Sequence, residues 1–265
     1  IDEVISKGGR VLDVDLAKYA ASYRKQLNCY VIAITGSAGK TTVKDMLSCI
    51  LKTKFRVEKT FENENNEIGV PLTLLKAKSD TDVLIVECGM RHLGDIGYLT
   101  KLVRPTHVVI TSIGHSHIEL VGSTKKIAKG KAEIFRSPLK WETYSRHTFL
   151  NASSLYYDYL KQKAEHHSYH VFPFEGKDSM HQNINLCYSV AQHFGISSEQ
   201  ASEALLNFKG SSHRLNVIKK NKFTIIDDTY NANPEGMRFA LSFLSGFLGR
   251  KIFVFGEMLE LGEFS

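Results

Sequence analysis

The sequence predicts an α/β fold: a phosphate-loop domain with a mostly parallel sheet flanked by helices, followed by the start of a second, Rossmann-like α/β domain. Three observations carry this. Short β-rich apolar runs at 30–34, 83–86 and 108–110 alternate with stretches of helical periodicity. A glycine turn joins the first run to the first helical stretch, and after Gly210 the strand-then-helix order starts again.

The elements follow in order. The run at 30–34 leads through the glycine turn into a helix whose apolar face carries Val43, Met46, Leu47, Ile50 and Leu51. Between the second and third strands, Ile96, Leu99, Leu102 and Val103 have helical spacing, and Pro105 ends that helix. Residues 136–182 are less regular, with one helix expected near 153–163. Helices are expected near 183–194, closed by Gly195, and over 198–208. Beyond Gly210, residues 223–226 read as a strand, 235–248 as a helix and 251–255 as a second strand, a βαβ unit. A unit of that size rarely folds alone.

Composition narrows the function classes. The 265 residues are 43% hydrophobic and 23% charged, which excludes a disordered chain or a small disulfide scaffold. No apolar run approaches the ~20 residues of a membrane span, and the start, IDEVISKGGR, lacks a basic stretch leading into an apolar one. A cytoplasmic protein is expected. The formal charge is +6, but no basic run exceeds two residues, so an anionic small substrate suits the surplus better than nucleic acid does. Cys29, Cys49, Cys88 and Cys187 show no CxxC pairing, three of them sit within apolar stretches, and they read as buried free thiols. His166, His167 and His170 lie close together, yet no acid or cysteine completes a ligand set, and a polar surface stretch is the expectation.

The strongest local signal is Thr35-Gly36-Ser37-Ala38-Gly39-Lys40-Thr41-Thr42, at a strand-to-helix junction. Glycines let the backbone wrap an anion, and the helix N-terminus adds positive charge. The backbone of Gly36, Ser37, Ala38 and Gly39, with Lys40, Thr41 and Thr42, is the expected phosphate cradle for ATP, and the Thr41 hydroxyl suits Mg²⁺. The general pattern GxxxxGK[ST] wants a glycine where Ile34 stands, so this is a shorter form, TGxxGKTT. That form, and the lack of an NKxD motif, weaken a kinase or GTPase reading.

Three further segments stand out. Residues 63–73 are amide-rich and hold a Gly-Val-Pro turn, with Asn65 and Asn66 expected to face the substrate or the phosphates. Glu87 ends the second strand, and Ile110-Thr111-Ser112-Ile113-Gly114-His115-Ser116-His117 follows the third. Open α/β sheets place ligand groups at that edge, so Glu87 and a histidine there make candidate Mg²⁺ ligands.

These segments together resemble the Mur ligases, the ATP-dependent amide-forming enzymes of peptidoglycan precursor synthesis. The family's TGxxGKTT matches 35–42, its NxNNxIGVPLTLL matches 63–75, its E-x-G matches 87–89 and its ITxIGxxHxE matches 110–119. Asp227-Asp228-Thr229-Tyr230-Asn231-Ala232-Asn233-Pro234 resembles the DDSYNANP segment of the branch that adds D-alanyl-D-alanine, and 256–262 resembles its GDMxELG.

The resemblance implies ATP-dependent joining of D-alanyl-D-alanine to UDP-N-acetylmuramoyl-tripeptide through an acyl phosphate, with Mg²⁺. Another Mur ligase, a folylpolyglutamate synthetase-like ligase, or a catalytically incomplete ATP-binding fragment are the alternatives. It also implies residue roles. Lys40 and Thr41 hold phosphates and one Mg²⁺; Glu87 and His117 ligate a second, with His115 the rival histidine. Lys131 matches the lysine that the family carbamylates into a metal-facing carboxylate. Arg214 matches an arginine that reaches the phosphates, and Asp228 and Asn231 match nucleotide contacts from the C-terminal domain. By the same resemblance, 1–28 is the tail of an N-terminal substrate domain, 29–210 the central ATP-binding domain and 211–265 a truncated C-terminal domain. The length then fits a piece of a longer enzyme, and a monomer is expected.

Overall fold

A computed structural model of the chain describes residues 15–116, 118–139, 145–206, 208, 216–221, 223–229, 232 and 234–258. Helix α1 (Leu16–Arg24) leads into β1 (Tyr30–Thr35), α2 (Lys40–Leu51), β2 (Val57–Lys59), α3 (Gly69–Lys76) and β3 (Val83–Glu87). Next come α4 (Asp95–Val103), β4 (His107–Ile110), the short α5 (Ile118–Val121), α6 (Thr124–Lys131) and a 3₁₀ turn at Ala132–Phe135. Then follow β5 (Arg146–Asn151), α7 (Tyr157–His166), β6 (Tyr169–Phe174), α8 (Ser179–His193) and α9 (Ser198–Leu206). The last elements are β7 (Asn216–Lys220), β8 (Phe223–Asp227) and α10 (Pro234–Ser245).

Six strands form one sheet in the order β2-β3-β1-β4-β5-β6, every pair parallel. Along β1, Val31 and Ala33 enter the core on one face, while Ile32 and Ile34 enter the core on the other. This two-residue alternation with both faces buried is what a parallel sheet covered on both sides requires. Apolar residues of α1, α3, α4 and α7 pack on the first face. On the second, α2 buries the five residues of its predicted stripe, joined by Leu186, Cys187 and Val190 of α8. Arg24 ties α1 to the end of α4: its buried guanidinium donates to the carbonyls of Val103 (2.8 Å), Leu27 (3.1 Å) and Arg104 (3.1 Å), satisfying carbonyls that a helix end leaves open.

The sequence expectations need three corrections. The irregular stretch 136–182 contains a β-α-β unit, β5-α7-β6, in place of a lone helix at 153–163. Its strands carry His, Arg and Pro, which blur the apolar signal; Pro173 is tolerated because β6 is an edge strand. The Gly-Val-Pro turn is the start of α3, with Pro71 in the first helical turn, where its missing N–H costs nothing. Finally, 251–255 forms no strand; Val254 is 87% exposed. A strand persists through its neighbours' hydrogen bonds, and β8 pairs antiparallel with β7, which the sequence reading passed over.

Candidate functional site

The loop after β1 stands at the carboxyl edge of the sheet, where β1 lies between β3 and β4 and the chain crosses from one side to the other. Gly36 has φ +155°, and a Cβ there would collide with the Thr111 hydroxyl. Gly39, the residue before α2, sits at φ +83° against the Asn183 side chain of α8. Neither site accepts a side chain without displacement. The loop is pinned from the β4 side: Ser37 N donates to Ser112 O (2.9 Å), and Ala38 N donates to Ser112 Oγ (2.9 Å). Lys40 opens α2, and its ammonium donates to Gly36 O (2.9 Å).

Beneath the loop, Glu87 ends β3 in full burial, at 1% exposure. Its Oε2 accepts from Thr41 Oγ1 (2.9 Å) and its Oε1 from Asn65 Nδ2 (2.8 Å). Lys44, one turn after Lys40, is also fully buried; its ammonium lies 3.9 Å from Glu87 Oε2 and 3.6 Å from Asp45 Oδ1, and donates to Glu62 O. Lys59 Nζ bonds Asp45 Oδ1 at 2.6 Å. Buried charges survive when paired in this way. The sequence reading missed Lys44 and Asp45, because their pairing depends on β3 and β2 arriving beside α2. A charged residue within an otherwise apolar helix face was the available signal.

Lys131 ends α6 and is 2% exposed, whereas Lys129, two residues earlier, is exposed. Burial, then the like charge of Lys40, holds the Lys131 amine well below the usual lysine range. The two amides separate: Asn65 reaches Glu87, while Asn66 Oδ1 accepts from Ile68 N (3.1 Å) and Gly69 N (2.9 Å), capping α3. Asp228 follows β8 and is half-buried. His115 is half-buried, and His117, Arg214 and Asn231 lie outside the described residues. His166 and His170 are exposed, as expected, and His167 is half-buried. The four cysteines are free; Cys88 and Cys187 are buried, while Cys29 and Cys49, against expectation, are only half-buried because each lies at the margin of the core. No helix among the described residues is long and apolar enough to cross a membrane.

The Mur ligase middle domain matches residues 34–219, more than half of the chain. The chain belongs to the Mur ligase family. A second Mur ligase match, the glutamate ligase domain, covers 213–265. The chain is 35% identical to UDP-N-acetylmuramoyl-tripeptide–D-alanyl-D-alanine ligase of Bacillus subtilis, over 94% of this chain and 60% of that protein. The crystal structure of MurF from Acinetobacter baumannii superposes with a TM-score of 0.86 at 28% identity, covering 96% of this chain and 65% of that one. MurF of Thermotoga maritima, solved in complex with ADP, superposes at 0.81 with 26% identity, covering 96% of this chain and 68% of that one. This Mur ligase chain therefore spans a little under two thirds of the Bacillus relative's length. These likenesses agree with the α/β fold and the family that the sequence implied.

Proposed function

We propose that this Mur ligase chain is the ATP-binding centre of an enzyme that joins D-alanyl-D-alanine to UDP-N-acetylmuramoyl-tripeptide in the cytoplasm. The observation that carries the reading is the convergence of Thr41 and Asn65 on the buried Glu87 carboxylate, directly beneath a strand-to-helix glycine loop. The names of the Bacillus and Acinetobacter relatives support the choice of branch.

In the proposed reaction, an oxygen of the tripeptide's terminal carboxylate bonds to the γ-phosphorus of ATP and ADP leaves. The dipeptide amine then bonds to the acyl carbon, inorganic phosphate leaves and the amine releases its proton. The protein positions and neutralises and supplies no nucleophile. Lys40 exchanges its hold on Gly36 O for phosphate oxygens, and the N-terminus of α2 faces them. The oxygens of Thr41 and Glu87 form a hard donor set that fits Mg²⁺. When bound, Mg²⁺ neutralises charge on the transferring phosphoryl group. Asn65 fixes the orientation of Glu87.

The low basicity of Lys131 supports carbamylation, in which the neutral amine bonds the carbon of CO₂ and releases a proton. His117 is the proposed metal ligand and Arg214 the proposed phosphate contact, with Asp228 and Asn231 reaching the nucleotide from the second domain. Residues 29–210 are the proposed central domain, and the unbroken sheet from β1 to β6 supports that extent.

The test is phosphate release by the full-length protein. Release that requires both the UDP-tripeptide and D-alanyl-D-alanine is expected, and release with a single amino acid in place of the dipeptide overturns the assignment.

A further inference from the structure

The sheet edge opposite the phosphate loop holds a second cluster that the ligase chemistry does not use. His107 begins β4, His147 stands near the start of β5 and His170 near the start of β6, and the register sets them side by side. His193, the last residue of α8, closes over the row, with its ring 5.1 Å from that of His107 and 4.3 Å from that of His147. His107, His147 and His193 each bring a ring nitrogen within 4.8 Å of the others. They line a cleft of about 740 Å³ with Tyr30, Lys54 and Asp82.

We infer that His107, His147 and His193 form a binding site for a zinc-class divalent metal ion, remote from the nucleotide. The Nε2 atoms of His107 and His193 are 3.1 Å apart. A tetrahedral zinc with Zn–N bonds of ~2.0–2.1 Å sets its ligand nitrogens about 3.3 Å apart, so this edge is nearly formed.

The lone pair on His107 follows from a count of hydrogen bonds. Thr106 Oγ1 accepts from Val31 N (3.0 Å), lies 3.2 Å from Val31 O and 2.9 Å from His107 Nδ1. Only a proton on Nδ1 lets the hydroxyl use all three contacts, donating once and accepting twice. That assignment leaves His107 Nε2 unprotonated towards His193. A ligating histidine anchored through its other nitrogen is the usual arrangement around a metal. His147 adds a buried Nδ1 with no hydrogen-bond partner among the described residues. Burial holds all three rings below the ordinary histidine range, and the neighbouring imidazoles lower His107 and His147 further. Neutral imidazoles are the form that binds metal. The open cleft leaves the fourth position to water.

The test uses tag-free, full-length protein, stripped with a chelator and titrated with Zn²⁺ by calorimetry without nucleotide. One ion per chain is expected, with affinity lowered more than about 100-fold in His147→Asn and His193→Asn and unchanged in His166→Asn. Absence of stoichiometric binding, or equal affinity in His193→Asn and wild type, overturns the site and leaves an aromatic cluster. Should the variants not fold, Co²⁺ in the wild type decides: an intense tetrahedral spectrum supports the site, and a weak octahedral one overturns it.

Discussion

The Thr41 hydroxyl donates to Glu87 Oε2 at 2.9 Å, across a separation of 46 residues in sequence. The bond couples the first turn of α2 to the end of β3 and holds both oxygens below the phosphate loop. Glu87→Gln keeps the shape and removes the charge. Turnover by the full-length enzyme is expected to fall ~100-fold or more, as for loss of a preorganised electrostatic group. Steady-state phosphate release measures it, and a fall under about fivefold contradicts the role.

Lys40→Ala removes the cation proposed to hold the phosphates. Nucleotide affinity, followed by ADP titration, is expected to drop at least tenfold with little loss of thermal stability, because the half-buried Lys40 ammonium donates to a loop carbonyl, Gly36 O, and packs in neither apolar core cluster. Retained affinity and turnover remove the phosphate-loop assignment.

Gly36→Ala tests the loop's shape. The added methyl meets the Thr111 side chain, which itself bonds Ala38 O, so the loop and the β4 edge must separate. Weaker ADP binding is expected together with a destabilisation of about 1–3 kcal/mol, read by denaturant unfolding. Unchanged binding shows that the loop tolerates the shift.

Lys131→Met separates stability from activity. Burial depresses the folded-state pKa of Lys131, so below the unfolded value of about 10.4 the unfolded chain holds a proton that the folded chain resists. This penalty grows as pH falls through that window and vanishes above it. In CO₂-free buffer, where the amine stays unmodified, the methionine variant is therefore expected to be more stable than wild type near neutral pH, with the gap narrowing towards pH 10, while its ligase turnover in bicarbonate is lost. Mass spectrometry of the wild type in bicarbonate, showing the addition of one CO₂ at Lys131, tests the carbamate directly.

Arg24→Met deletes the guanidinium that serves three carbonyls between α1 and α4. A loss of about 2–4 kcal/mol in unfolding free energy is expected with nucleotide affinity intact. Equal losses in affinity and stability rule out a purely structural role.

Local chemistry was readable wherever it was contiguous. The phosphate loop, the apolar stripe of α2 and the strand-end Glu87 each follow from neighbours in sequence, since a glycine loop, a 3.6-residue period and a strand end are local patterns. The β5-α7-β6 unit was not, because histidine, arginine and proline interrupt its strands. The 251–255 stretch failed in the other direction: its apolar residues suit a strand, but a strand requires a partner.

By itself, the sequence determined the α/β class, the glycine loop between β1 and α2 and the family to which the chain belongs. Only the tertiary structure decided which amide turns to Glu87 and which caps α3, that Lys131 rather than Lys129 is buried, and that Lys44 joins the carboxylate. It alone brought His107, His147 and His193 together from three separate elements. The reason is the same in each case. Which face of an element is buried, and which distant side chain shares it, depends on strand order and register, and these arise when the sheet assembles.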